Sequence, residues 1–310
     1  ATKLKLSAVP KEQMLINIEN IHIQSVKTLS FNEVDTDILR LDLIHPVISG
    51  NKWFKLQYYL KEAISMKCSR LVSFGGAYSN HIVALALAGQ QVGIPTTGFI
   101  RGDAPTDLSP TLREAIGYGM ELQFVNRSDY RFKDQIKASY HQSGWYWIPE
   151  GGYGFLGAKG AADILHIHDT SKYTHIICAT GTGTMIAGLI LGAQPNQQIL
   201  GISALKNHLS ITEEIEALIN KPISSFPPYH CIHGYDWGGY GKYQPDLLYF
   251  MQDFWNQEQI PTDFVYTAKM IYATKNLIQK NYFTPGSRLL LIHSGGLQGN
   301  RSLPPHILPF

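Results

Sequence analysis

The feature that most constrains the fold of this chain is a regular alternation of helix-like and strand-like segments from Lys52 onward. Periodic apolar residues predict helices at 53–66, 81–92, 111–118, 185–191, 211–220, 245–256 and 265–279. Apolar runs predict strands at 70–74, 96–101, 121–125, 173–179, 198–204 and 288–293, with two earlier strands at 21–26 and 37–43. Strands that alternate with helices in this way pair in parallel, with the helices on the sheet faces. We therefore predict an α/β fold with open, parallel-rich sheets.

Glycine is dense between Trp147 and Gly160, where the two helix–strand series meet. Because glycine is common in turns and loops, we predict that this segment is a loop crossing between two domains. The stretch 223–245 is rich in proline, glycine and aromatic residues and is predicted to be irregular. A chain of 310 residues is long enough for two linked α/β cores.

Composition excludes several classes of function. The net charge is +2 and no basic cluster occurs, so nucleic-acid binding has no electrostatic footprint. No apolar run approaches the ~18 residues of a membrane span, and no histidine pattern indicates a metal site. The three cysteines are widely spaced, which favours a reducing, cytoplasmic setting. We expect neither a metal nor a membrane or nucleic-acid partner.

Lys52 lies between a Gly-Asn turn and the start of an amphipathic helix. Burial and the positive end of a helix dipole both lower the pKa of an ammonium group. A lysine that loses its proton readily can form a Schiff base with an aldehyde cofactor. The alternative, for this lysine taken alone, is an ordinary surface residue in a first helical turn.

The segment Thr180-Gly181-Thr182-Gly183-Thr184 joins a predicted strand to a predicted helix. Free N–H groups at such a turn converge on an anion, and glycine lets the backbone approach closely. The segment is no P-loop, and Ile186 replaces the third glycine of a dinucleotide fingerprint. A phosphate monoester fits better than a dinucleotide, and the alternative is a plain glycine-rich turn.

Two further strands are predicted to end in small, polar turns, at residues 75–81 and 292–296. Ser79 or Asn80 in the first of these turns could simply cap the following helix. In α/β sheets, however, ligands gather at the carboxyl ends of strands. Three such turns, taken together, predict one shared cleft.

These motifs in this order resemble the fold-type II pyridoxal phosphate enzymes. The shared motifs are Ser-Gly-Asn-Lys-x-x-Lys-Leu at 49–56, Gly-Gly-x-x-Ser-Asn-His at 75–81 and Gly-Thr-Gly-Thr at 181–184. The resemblance is strongest to the branch of D-cysteine desulfhydrase and 1-aminocyclopropane-1-carboxylate (ACC) deaminase, and it extends from about residue 20 to residue 300. It implies a two-domain, tryptophan synthase β-like fold, with pyridoxal 5'-phosphate in the cleft between domains. We place the smaller domain at 53–158, inserted into a larger one made of 1–52 and 159–310.

The resemblance also implies residue roles. Lys52 would hold the cofactor covalently and act as the base, Asn80 would contact the cofactor ring, and Ser294 would face its pyridine nitrogen. The cofactor phosphate would be bound by Gly181, Thr182, Gly183 and Thr184. The substrate would meet Tyr78, Ser79, Asn80 and His81, while Ser79, Tyr240 and Tyr266 would assist proton transfer. The family also implies a homodimer acting on a small amino acid.

The predicted reaction depends on which branch member the chain resembles more. ACC deaminases typically carry a glutamate after the second tyrosine, whereas this chain has Thr267. This departure favours elimination from D-cysteine, giving pyruvate, ammonia and hydrogen sulfide, with ACC deamination as the alternative. Tyr78 replaces a common glutamine beside the substrate pocket, so the substrate could be neither amino acid. A non-catalytic phosphate-ligand binding protein and a nucleotide-dependent enzyme are the alternatives from other classes.

Overall fold

The computed structural model describes residues 16–310 and places their strands in two separate β-sheets. The strands are β1 Ile23–Ser25, β2 Asp35–Arg40, β3 Arg70–Gly75, β4 Thr96–Arg101, β5 Glu121–Val125, β6 Trp145–Trp147, β7 His175–Thr180, β8 Gln198–Ser203, β9 Tyr229–Ile232 and β10 Arg288–His293. The helices are α1 Asn51–Ser65, α2 Asn80–Val92, α3 Pro110–Gly117, α4 Lys133–Tyr140, α5 Phe155–Ala162, α6 Thr184–Gly192, α7 Ile211–Ile219, α8 Pro245–Glu258 and α9 Thr267–Gln279.

Both sheets are dominated by parallel pairing. The larger sheet has the order β1-β2-β10-β7-β8-β9, in which only β1 pairs antiparallel. The smaller sheet has the order β5-β4-β3-β6 and is parallel throughout. The predicted α/β fold with parallel-rich sheets is confirmed. All strands of the smaller sheet fall inside 53–158, although the domain boundaries themselves stay a prediction.

Helix α5 begins where the sequence predicted a loop at 147–160, so that prediction is wrong for residues 155–160. Its glycine residues serve close helix packing. A Cβ atom on Gly160 would lie 1.8 Å from the carbonyl oxygen of Phe54 in α1. A Cβ atom on Gly188 of α6 would lie 2.4 Å from the carbonyl oxygen of Ala158. Glycine density therefore marks contact of α5 with both neighbouring helices.

Three short elements, α4, β6 and β9, have no counterpart among the predicted elements. Strand β9 falls inside the stretch predicted to be irregular and pairs in parallel with β8. Strand β6 has three residues and pairs with β3 in the same way. Such short strands are set by their partners rather than by local periodicity. The strand predicted at 37–43 instead ends at Arg40 and continues as a 3-10 turn at Leu41–Leu43.

The turns that carry the candidate site follow the carboxyl ends of β3, β7 and β10. These strands end in buried residues, and each leads into a glycine-containing turn. Across residues 16–310, no helix combines the length and apolar character that crossing a membrane requires.

Candidate active site

A cleft is lined by the N-terminal turn of α1, the turn after β7, the turn after β10, and single residues from elsewhere. The lining side chains and turns include Lys52, Lys55, Asn80, Thr180–Gly183, Tyr266 and Ser294–Gly296. The structure therefore brings together Lys52, Asn80, Gly181, Thr182, Gly183, Tyr266 and Ser294 from the set that the sequence predicted.

The turn before α1 is docked on the turn after β10. Gly50 has φ +61, and a Cβ atom there would lie 1.9 Å from the carbonyl oxygen of Ser294. The amide of Asn51 donates to that same oxygen at 3.1 Å. Residues other than glycine rarely adopt such a φ, and their Cβ atom would clash with the Ser294 carbonyl. Glycine at position 50 therefore permits this contact. The contact places Lys52 on the cleft wall, where its Nζ donates to Asn51 Oδ1 at 3.0 Å.

The two lysines of α1 that face the cleft both have lowered pKa values. Burial lowers the pKa of Lys52 to about 8, and the negative charge of Asp263 partly opposes this effect. Burial and the nearby charge of Lys52 lower the pKa of Lys55 to about 7. Lys55 is a site residue that was not predicted, although its spacing of three residues from Lys52 puts both on one helix face. A buried amine without a carboxylate partner favours a bound anion.

The turn Thr180–Thr184 has the form of an anion cradle. Gly183 precedes α6 with φ +76, and the first intrahelical bond runs from Ala187 to Gly183. The earlier N–H groups of the helix are therefore free to bind a ligand. Thr180 Oγ1 is buried and has no hydrogen-bond partner among residues 16–310, so it can bond a polar ligand atom. Thr184 is fully buried and does not line the cleft.

The turn after β3 contributes less to the cleft wall than the sequence predicted. Ser79 caps α2, with its Oγ accepting from the Ile82 amide at 3.3 Å. Asn80 lines the cleft, its Nδ2 donates to Gly296 O at 3.3 Å, and its buried Oδ1 has no partner. Tyr78 is largely exposed and is not part of the cleft wall.

His81 is buried on α2 and is absent from the cleft wall, so its predicted contact with substrate gains no support from this geometry. Its Nε2 lies 2.8 Å from Ser73 Oγ, and that hydroxyl donates to the carbonyl of Ile148 at 2.8 Å. Because the single hydroxyl proton goes to the carbonyl, Nε2 must carry the imidazole proton. Burial, reinforced by the charges of Lys52 and Lys55, lowers the pKa of His81 to about 3.

The two predicted tyrosines meet at the cleft edge. The ring of Tyr240 packs edge-on against Tyr266, with 6.0 Å between centroids, and remains mostly exposed. Burial raises the pKa of Tyr266 well above its ordinary value. Thr267 does not reach the cleft, because its hydroxyl donates to Asp263 Oδ1 at 2.7 Å. Ser294 lines the cleft beside Gly295 and Gly296.

The site fits pyridoxal phosphate. It offers an amine with a lowered pKa, a cradle for a phosphate, and two buried polar atoms without partners, Thr180 Oγ1 and Asn80 Oδ1. The family model described as "Pyridoxal-phosphate dependent enzyme" matches residues 23–295. The chain belongs to this family of enzymes, and the predicted cofactor and the predicted fold type II are confirmed.

Several relatives within this family are similar to most of the chain. The chain is 28% identical over 284 residues to a putative ACC deaminase of Pyrococcus horikoshii, covering 86% of this chain and 85% of that protein. It is 25% identical to the mitochondrial bifunctional D-cysteine desulfhydrase/ACC deaminase of Arabidopsis thaliana, covering 86% of this chain and 74% of that protein. A crystal structure of an ACC deaminase homologue superposes with a TM-score of 0.78 at 26% identity, covering 93% and 92% of the two chains. The chain is thus a pyridoxal-phosphate dependent enzyme that is similar, over most of its length, to ACC deaminase-like proteins.

Proposed function

We propose that this enzyme deaminates a small amino acid by α,β-elimination, with D-cysteine as the favoured substrate and pyruvate, ammonia and hydrogen sulfide as products. The observation that carries the proposal is the position of Lys52. Its amine faces a cleft that also holds a phosphate-type cradle, and burial lowers its pKa to about 8. An amine with this pKa is partly unprotonated near neutral pH and can accept a proton.

Several residues would hold the cofactor. Lys52 would carry it, Asn80 would contact its ring, and Ser294 would face its pyridine nitrogen. The free N–H groups at 181–184 and the Lys55 ammonium would bind the phosphate, since both supply positive charge to the same part of the cleft. The bound cofactor would supply the electron sink that makes loss of a Cα proton possible.

The chain's own groups would then move the proton. The Lys52 amine would take the Cα proton, because it is the cleft lysine proposed to hold the cofactor and its lowered pKa leaves part of it unprotonated. Tyr266 would act as a donor rather than a base, because its raised pKa keeps the hydroxyl protonated. Ser79 Oγ accepts from the Ile82 amide and so keeps its own proton available for the substrate.

The preference for D-cysteine is supported by what lines the cleft. Within the described residues 16–310, the lining set contains no aspartate or glutamate, and Thr267 is turned away toward Asp263. Ser294 is then the side chain proposed to face the pyridine nitrogen. A hydroxyl group at this position would make the cofactor ring a weaker electron sink than a carboxylate would. A weaker sink suits an elimination, because that reaction does not need a long-lived carbanion.

ACC deamination is the second candidate, because relatives named as ACC deaminases cover most of this chain. A panel of D- and L-amino acids plus ACC, scored for 2-oxo acid and ammonia release, separates the two. Activity on D-cysteine alone supports the first candidate. Activity on ACC with none on D-cysteine rules out the first candidate.

The homodimer is likewise proposed from the resemblance, and light scattering of the full-length enzyme tests it.

The panel also tests for catalysis itself, using cofactor-supplemented, full-length protein with Lys52→Ala as the control. The proposal predicts 2-oxo acid release by the unmodified protein and none by Lys52→Ala. If neither protein releases a 2-oxo acid and the unmodified protein shows no visible cofactor band, a non-catalytic phosphate-ligand binding protein becomes the better account. A thermal shift with ADP or NAD but none with pyridoxal phosphate would favour a nucleotide-dependent enzyme.

A further inference from the structure

Asp263 has a fully buried carboxylate just before α9, beside the cleft but not on its wall. Its Oδ2 accepts from the amides of Val265 at 3.0 Å and Tyr266 at 2.9 Å. Its Oδ1 accepts from the Thr267 amide at 3.0 Å and the Thr267 hydroxyl at 2.7 Å. These four bonds fix the backbone that carries the Tyr266 ring into the cleft.

The hydrogen-bond partners of Asp263 favour an ionised carboxylate. Three of the four groups around its two oxygens are backbone N–H groups, which can only donate, and the Thr267 hydroxyl is the fourth. Burial raises the pKa of Asp263, and the bonds from Thr267 and Tyr266 lower it. A buried carboxylate with this many donors is stable as an anion, because its lost hydration is replaced.

Asp263 also packs against the turn after β10. A Cβ atom on Gly296 would lie 3.7 Å from Asp263 Oδ1 and 3.2 Å from Asn80 Nδ2. Asn80 donates to the carbonyl of Gly296 at 3.3 Å. Gly296 is therefore packed between the Asp263 carboxylate and the Asn80 amide that faces the cleft.

The titratable groups around Lys52 come from four segments of the chain. Lys55 lies on the same helix and adds positive charge, while His81 of α2 is neutral. Asp263, before α9, is the carboxylate whose negative charge favours the protonated form of Lys52. His293 of β10 lies near Asp263 and acts on that carboxylate.

We propose that Asp263 is a positioning residue of this active site, which holds the Tyr266 and Gly296 turns in place and supplies the counter-charge to Lys52. The inference rests on the proposed role of Lys52. It assigns Asp263 two separable effects. One is geometric and passes through the backbone of Tyr266 and Thr267, and the other is electrostatic and depends only on the carboxylate charge.

The test measures the titration of Lys52 in full-length, cofactor-free protein. Acetic anhydride acylates the unprotonated amine, and mass spectrometry of the Lys52 peptide across a pH series gives the midpoint. Asp263→Asn removes the charge at nearly constant shape and is expected to move this midpoint down by roughly 0.5–1 pH unit. Thr267→Val is the matched control, because it removes the hydroxyl's hydrogen bonds with Asp263 but keeps the charge, and its midpoint stays at the wild-type value.

Two results overturn the proposal: an unchanged midpoint in folded Asp263→Asn, or an equal shift in Thr267→Val. If Asp263→Asn does not fold, Asp263→Ser replaces it, since serine also caps a helix without a charge.

Hydrogen exchange on the unmodified protein adds a further test. The amides of 265–267 are expected to be protected, and free exchange there would also overturn the proposal. None of these readouts needs bound cofactor, so their failure is distinct from a failure of the proposed function.

Discussion

The amide nitrogen of Asn51 lies 3.1 Å from the carbonyl oxygen of Ser294 and donates a hydrogen bond to it. This bond joins two segments that are far apart in sequence, the start of α1 and the turn after β10. It requires glycine at position 50, because a Cβ atom there would overlap the same carbonyl. The orientation of Lys52 toward the cleft therefore depends on a contact between backbones.

Gly50→Ala is predicted to destabilise the protein and to displace Lys52. The new Cβ would lie 1.9 Å from Ser294 O, at a φ of +61. We expect the free energy of unfolding to fall by about 2–4 kcal/mol, as for strain combined with overpacking. Urea denaturation checks the stability, and cofactor titration checks the site.

Gly93→Ala is the matched control for this prediction. Gly93 has φ +71, but a Cβ atom there would meet nothing within 4 Å. It gives the cost of alanine in the left-handed region without steric overlap, which is about 1–2 kcal/mol. Equal losses in the two variants would show that the overlap with Ser294 is unimportant.

Lys55→Met is predicted to weaken cofactor binding and to flatten the dependence of apoprotein stability on pH. The pKa of Lys55 is about 7 in the folded protein and 10.5 in its ordinary state. Between these values the unfolded chain binds the extra proton, so stability rises with pH, by up to about 1.4 kcal/mol per pH unit for one proton. Urea denaturation at pH 7, 8 and 9 measures the slope.

Lys61→Met serves as the control, since Lys61 lies on the exposed side of the same helix. It should retain both the wild-type slope and the wild-type cofactor affinity.

For Lys55→Met we expect the affinity for pyridoxal phosphate to fall at least about tenfold, because a charge-assisted bond to the phosphate is lost. Unchanged affinity would remove Lys55 from the phosphate site.

His81→Gln is predicted to alter stability in acid. The folded pKa of His81 is about 3 and its ordinary value is 6.5, so the unfolded state binds the proton first as pH falls. The stability of the unmodified protein should therefore decline from about pH 6.5 toward pH 3. Glutamine can still donate to Ser73 but does not titrate, so the variant should lose less stability over this range. Parallel curves for the two proteins would show that His81 does not stay neutral in the fold.

Much of the fold was predictable because its central helices and strands carry their own periodic patterns. The strands at 96–101, 121–125 and 288–293 have the predicted bounds. Residues that follow such strands can be placed at one sheet edge by topology alone. This is why the 181–183 turn and Ser294 could be expected to lie near one another before any distance was known, whereas the family resemblance placed Lys52 with them.

What the sequence did not show depends on contacts between distant segments. Glycines 157 and 160 looked like loop residues, yet they allow α5 to pack closely against other parts of the chain. Lys55 acquires its lowered pKa only through burial beside Lys52. The orientation of Thr267 toward Asp263 likewise became visible only in the structure. Local patterns contain no information about these long-range partners.

The central claim is that Lys52, rather than Lys55, carries the cofactor. The most direct measurement is borohydride reduction of cofactor-supplemented protein, followed by mass spectrometry of the α1 peptide. We expect that a visible absorbance band disappears and that the reduced cofactor is attached to Lys52 Nζ. Attachment to Lys55, or no attachment to either lysine, would contradict it.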